Sequence, residues 1–159
     1  MKKTILTILP LLFVTTLFGQ SKEDLTESII AYQRAFDDDW INTKLEGTKL
    51  IIYEKSIGHK VTGDIDEETL DLSKVESVAV KENDNNYFLV FINFRNDDIH
   101  RKYFDSYDDY LIKNYQQRNV FKLNWKNIIS FKKEKLALDF QKDLIALIKL
   151  CGSKNVRSF

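Results

Sequence analysis

Residues 127–152, NIISFKKEKLALDFQKDLIALIKLCG, decide how the rest of the chain is read. Ile128, Ile129, Ser130 and Phe131 have the β-branched and aromatic character of a short strand, and Lys132 to Lys135 form a charged bend. Beyond it Ala137, Phe140, Leu144, Leu147 and Cys151 recur at spacings of three and four. They mark one apolar stripe of a helix that stops at Gly152, and Leu136, Ile145 and Ile148 widen it. Such a stripe demands a partner surface. At about 1.5–3 kcal/mol for each fully buried Leu, Ile or Phe, an upper bound, the helix contributes more than ~10 kcal/mol of gross burial. That is comparable with the net stability of a whole small domain. Apart from the single thiol of Cys151 the stripe carries only hydrocarbon side chains, so this segment predicts architecture and not activity.

Working outward, Tyr87 to Arg95 is the strongest strand signal. Phe88, Val90, Ile92 and Phe94 alternate with Tyr87, Leu89, Phe91 and Asn93, and two mostly apolar faces imply a central strand. Asn83 to Asn86 is a turn by composition and joins this strand to Val78–Lys81 in a hairpin. Asn96–Asp98 gives the next turn, and Ile99 to Phe104 reads as a half-exposed antiparallel partner, with His100 on a solvated face beside Arg101 and Lys102. Lys49–Glu54 reads as a strand covered on both faces, Lys55–Lys60 as a turn, Val61–Gly63 as a brief returning strand, and Thr62 to Glu68 as a polar loop. Val120–Trp125 is a further strand, and Ser106–Arg118 is a short helix or irregular loop. Near the start, Leu25, Ile29, Ile30, Tyr32, Ala35 and Phe36 fit a helix with Ser21 as N-cap and Glu23 and Asp24 in its first turn.

Composition bounds the class. The chain has 159 residues, 30% charged and 13% aromatic, with five Gly and one Pro, which suits one globular domain without a hinge linker. Lys2 and Lys3 precede an apolar run, Ile5 to Phe18, interrupted by Pro10 and followed by polar residues from Gln20. This is the order of a secretory signal, read here as residues 1–19, and the run is too short for a comfortable membrane span. The expected organisation is signal 1–19, one domain 20–152, and a mobile tail 153–159. The expected location is periplasmic or extracellular, with no stable membrane span once the signal is cleaved. Removing Lys2 and Lys3 takes the 24 basic residues to 22 against 24 acidic ones, a charge of −2, so no basic excess points to nucleic acid. Cys151 is the single cysteine, which excludes an intramolecular disulfide and reads as a buried structural thiol on the helix stripe.

Serial antiparallel strands closed by one amphipathic C-terminal helix resemble the pleckstrin-homology-like barrel. The best local match is Ile129-Ser130-Phe131, Leu136-Ala137, Phe140, Leu144, Leu147-Ile148 and Cys151-Gly152. The resemblance implies an α+β fold: a mostly antiparallel, partly open barrel plugged by that helix, with an additional N-terminal helix after the signal peptide. It also implies a binding scaffold without catalysis. A curved sheet packed on helices, as in the nuclear-transport-factor-like (NTF2-like) cone, is the alternative, because Ser21–Phe36 supplies an early helix. The basic cluster with which lipid-binding members of the pleckstrin-like superfamily work is represented only by Lys55, His59 and Lys60, and phosphoinositide binding is not carried over.

The chemistry-bearing motifs are few. His59 and His100 stand alone, without HxxxH, HExxH or Cys-His spacing, and there is no GxSxG elbow or Gly-rich phosphate loop. Asp37-Asp38-Asp39 lacks the alternating spacing and the glycine of a calcium loop and reads as a solvated acidic corner. No cofactor or metal is expected. The expected function is that of an exported binding or accessory module acting on another envelope protein or peptide. The contacts would be made through a sheet edge, through Lys55, His59 and Lys60, or through Tyr107, Tyr110 and Tyr115, whose rings suit interfaces. The alternative is a small hydrolase or ligand-binding cone with a carboxylate-lined pocket. An enclosed pocket of roughly 300 Å3 or more with paired acids would favour the second reading, and a filled interior with an unpaired strand edge the first.

Overall fold

The structure, a computed structural model, describes residues 19–55, 65–95, 99–104, 113 and 125–159. In chain order it comprises α1 (Lys22–Phe36), β1 (Trp40–Glu46), β2 (Lys49–Lys55), β3 (Ile65–Asp71) and a single 3-10 turn (Leu72–Lys74). Then follow β4 (Val75–Glu82), β5 (Phe88–Phe94), β6 (Ile99–Phe104), β7 (Trp125–Phe131), α2 (Glu134–Leu150) and β8 (Arg157–Ser158). The fold is α+β. Among the described residues the strands form two four-stranded sheets, β1-β2-β3-β6 and β7-β5-β4-β8, antiparallel except where β8 runs beside β4, and they do not close into a barrel.

Local chemistry sets the boundaries. Ser21 Oγ accepts from the Asp24 backbone N–H, and the Asp24 carboxylate accepts in return from Ser21 N–H, each at 3.0 Å, so two otherwise orphaned donors start α1. Gly47, at φ +65°, allows the two-residue connection between β1 and β2. Asn83 Oδ1 accepts from the N–H groups of Asn85 and Tyr87, and Asn86 takes φ +59°, which closes the β4–β5 hairpin at the expected turn. β5 lies between β7 and β4, the central position its two apolar faces require.

The helix stripe is buried as its periodicity demands: Ala137, Phe140, Leu144 and Leu147 are 0% exposed and Cys151 is 4%. It shares one core with Leu25 and Ile29 of α1 and with inward residues of both sheets, including Leu50, Ile52, Val90 and Ile92. Phe140 stands 5.7 Å from Phe131 and 5.5 Å from Tyr32, ring centre to ring centre, and Ser28 Oγ donates to Asp143 Oδ2 at 2.6 Å, tying the two helices together. The exposed side of α1 differs from the expectation. Ala35 and Phe36 face outward while Gln33 is fully buried, because its Oε1 accepts from Thr43 Oγ1 at 2.7 Å and so draws a polar side chain into the α1–β1 contact.

Three further expectations are corrected. Within 62–68, read as a polar loop, residues from Ile65 belong to β3, which lies between β2 and β6; cross-strand pairing and cationic partners for its acids override its loop-like composition. β6 pairs with β3 and not with β5, both of whose edges are already taken by β4 and β7. Residues after Gly152, expected to be a mobile tail, dock instead. Ser153 Oγ donates to Val75 O at 2.7 Å, Phe159 N–H to Val78 O at 3.2 Å, and Val80 N–H to Phe159 O at 2.9 Å. Gln141 Nε2 adds bonds to Val78 O and Phe159 O at 2.9 and 3.2 Å. The leader before residue 19, the brief strand Val61–Gly63, the turn Asn96–Asp98, residues 106–112 and 114–118, and the start of the strand expected over Val120–Trp125 lie outside the described residues.

Candidate functional site

Antiparallel register aims alternate residues of β2 and β3 at the same face. Leu50, Ile52 and Glu54 stand opposite Leu70, Glu68 and Asp66, so the face that is apolar at one end becomes acidic at the other. From the second sheet, Lys126 on β7 pairs in register with the buried Ile92 and therefore points inward. Its Nζ lies 2.6 Å from Glu68 Oε2 and 2.9 Å from Glu54 Oε2. One ammonium thus bridges two carboxylates across the gap between the sheets, with 13% of the lysine side chain exposed and 2% of that of Glu68.

The electrostatics follow from this burial. Desolvation raises the Glu54 pKa above the usual carboxylate value; Lys126 pulls it back, and the Glu68 charge adds to the rise. For Lys126 desolvation acts downward, but the two carboxylates outweigh it and hold the pKa above the ordinary lysine value. Lys126 is consequently a fixed cation at neutral pH and offers no free amine for nucleophilic or base chemistry.

This ion cluster forms one end of an open cleft of about 400 Å3, whose walls include Phe36, Asp37–Asp39, Glu54 and residues 126–130 of β7. The acidic corner is only partly solvated. Burial raises the Asp37 pKa, opposed by the Asp39 N–H that donates to its Oδ1 at 3.0 Å. The cleft is rich in acceptors: beside the three aspartates, Asn127 Oδ1 is buried with no hydrogen-bond partner among the described residues. Phe36, 46% exposed, gives it an apolar lip. Among the described residues β7 is a terminal strand of its sheet, and its residues 126–130 line the same cleft.

Of the site residues read from sequence, only Lys55 is described. It is exposed at the end of β2, its Nζ donating to Asp38 O at 3.2 Å and its N–H to Asp39 O at 2.7 Å, which fastens the acidic corner to the sheet. His59, Lys60, Tyr107, Tyr110 and Tyr115 lie outside the described residues. Sequence reading missed Glu54, Glu68 and Lys126. The available signal was parity, since Glu68 shares a face with Leu70 in the segment IDEETLD, but a strand had first to be recognised there. His100 is exposed on β6. Cys151 is buried, which raises its thiol pKa. Among the described residues no three His, Cys, Asp or Glu side chains are grouped to hold a metal ion, and no helix is long and apolar enough to cross a membrane. Comparison with protein-family models, curated proteins and solved structures found no match.

Proposed function

We propose that this chain is an exported, non-catalytic binding module that takes an extended segment of an envelope protein along the edge of β7, which is unpaired among the described residues, with a basic side chain of that segment against Asp37–Asp39. The observation that supports the reading is the coincidence of a strand edge that is unpaired among the described residues with a cleft lined by Asp37–Asp39 and by Asn127, whose buried Oδ1 has no partner among those residues. An added strand supplies main-chain N–H groups, and a Lys or Arg supplies a further cation for the aspartates. Lys126 held between two carboxylates, with no free amine to offer, favours binding over turnover. Export through residues 1–19 and a resemblance to the pleckstrin-like, partly open barrel belong to the same proposal. They rest on the leader's composition and on the strand–helix ending at Gly152.

The test is an array of ten-residue peptides of graded charge, followed by amide-shift mapping with the best binder. Basic, β-prone peptides should shift residues 36–39 and 126–130, and Asp37→Asn with Asp39→Asn should weaken binding about tenfold, the worth of a lost charge-assisted bond. Equal binding of acidic peptides, or shifts confined to other surfaces, would refute the reading. One observation favours a second reading, a small hydrolase: Asp37 and Glu54, both held above the usual carboxylate pKa, line the same cleft. Turnover of a chromogenic ester or glycoside that disappears in both Asp37→Asn and Glu54→Gln would establish it.

A further inference from the structure

The acidic wall of the β7 cleft sits at the unfavourable end of a helix. Phe36 is the last residue of α1, and Asp37 leaves it in an extended conformation, φ −119° and ψ 105°, so Asp37–Asp39 follow directly on the helix C-terminus. Carboxylates there meet the negative pole of the helix dipole, which opposes them. Cations close by in the described residues are engaged elsewhere. Arg34, the basic residue of the last turn, stands 5.5 Å over the Trp40 ring, Lys55 Nζ donates to the main-chain carbonyl of Asp38, and Lys126 bridges Glu54 and Glu68. Among the described residues none of the three aspartates is in an ion pair. Beside them stands a half-exposed ring. Phe36 lies 6.4 Å from Tyr32 in a stacked pair and 5.3 Å from Phe131 edge-on, so two neighbours fix its plane while 46% of the residue stays exposed at the cleft wall.

Resting on the peptide-binding reading of this cleft given above, we infer that the basic side chain it takes is an arginine, its guanidinium lying on the open face of Phe36 with its N–H edge turned to Asp37–Asp39. A guanidinium is planar, weakly hydrated and carries its donors in its own plane, so it stacks on a ring and bonds to carboxylates at once. An ammonium is compact and strongly hydrated, and in an open cleft it keeps the water that a ring contact has to displace. The aspartates attract either cation, and Phe36 is the residue that tells them apart. Arg34 over Trp40 shows the same kind of contact at this corner of the chain.

The experiment is fluorescence anisotropy of dye-labelled, strand-forming peptides at constant ionic strength, identical except for arginine, lysine or citrulline at the centre. The arginine peptide should bind about fivefold tighter than the lysine peptide, and the citrulline peptide, equally planar but uncharged, should bind more weakly than both. Phe36→Leu should remove the arginine advantage and Phe36→Tyr should keep it, with thermal melts confirming that each variant is folded. Equal binding of arginine and lysine by the native chain would overturn the assignment and leave the β7-edge reading standing. So would an advantage that survives in Phe36→Leu, even with both peptides weakened, because the ring would then serve packing against Phe131 and not selection. Failure of every basic peptide to bind would overturn the edge reading and this assignment with it.

Discussion

Replacing Lys126 with Met keeps the length and most of the volume of the side chain but leaves Glu54 and Glu68 facing each other without their shared cation. Glu68 has 2% of its side chain exposed and Glu54 19%, so water can replace little of what the ammonium supplied. Removing one partner of a buried ion pair costs about 3–5 kcal/mol, which for a domain of this size lowers Tm by roughly 10–15 °C. The loss should shrink on acidification. Without Lys126 the folded-state pKa of Glu54, already above its unfolded value, rises further, and Glu68 loses a cation that favours its ionised form. The folded state then binds more protons than the unfolded state in that window, and stability is gained as pH falls through the raised values. Urea unfolding followed by tryptophan fluorescence at about pH 7.5 and about pH 5 should show the variant closing part of its gap to the wild type. The triple variant Lys126→Met/Glu54→Leu/Glu68→Leu should return to within about 1 kcal/mol of the wild type, because an apolar cluster of similar volume carries no desolvation cost. A Lys126→Met chain within about 1 kcal/mol of the wild type at the higher pH, or one whose loss grows on acidification, would refute this account of how the sheets are joined.

Other outcomes follow from the same structure. Glu54→Gln should flatten the stability of the wild-type protein between the ordinary Glu pKa of 4.5 and its raised folded value, a range in which the native chain gains stability as pH falls. Denaturant curves at several pH values check it. Leu144→Ala, on the buried stripe of α2, should cost about 2–5 kcal/mol in urea unfolding, and a loss below about 1 kcal/mol would mean that the helix is not seated as described. Gln141→Ala removes the amide that donates to Val78 O and Phe159 O; hydrogen exchange at Phe159 should quicken, and an unprotected Phe159 amide in the wild type would argue against a docked β8. Cys151 should resist a thiol reagent in the native protein and react fully in urea, since burial shields the sulfur and raises its pKa.

The amino-acid sequence by itself determined the elements whose information is local. The three-and-four spacing from Ala137 to Cys151 fixed α2 and its buried face, the Ser21–Asp24 pair fixed the start of α1, and Asn83–Asn86 with the alternating run after it fixed the β4–β5 hairpin. In each case periodicity or a short side-chain-to-backbone bond acts over a few residues, so no distant partner is needed to read it. Tertiary structure decided the rest. Ile65–Asp71 becomes a strand only because β2 and β6 flank it. Its buried Glu68 is paired by Lys126, 58 positions later and on the other sheet, at 2.6 Å. Residues 153–159 look mobile until Ser153 meets Val75 and Gln141 meets Phe159. The β7 cleft has the same origin. Asp37–Asp39, Glu54 and Lys126 come from stretches far apart in the chain, and a charge gives no sign in the sequence of the partner that the fold will place beside it.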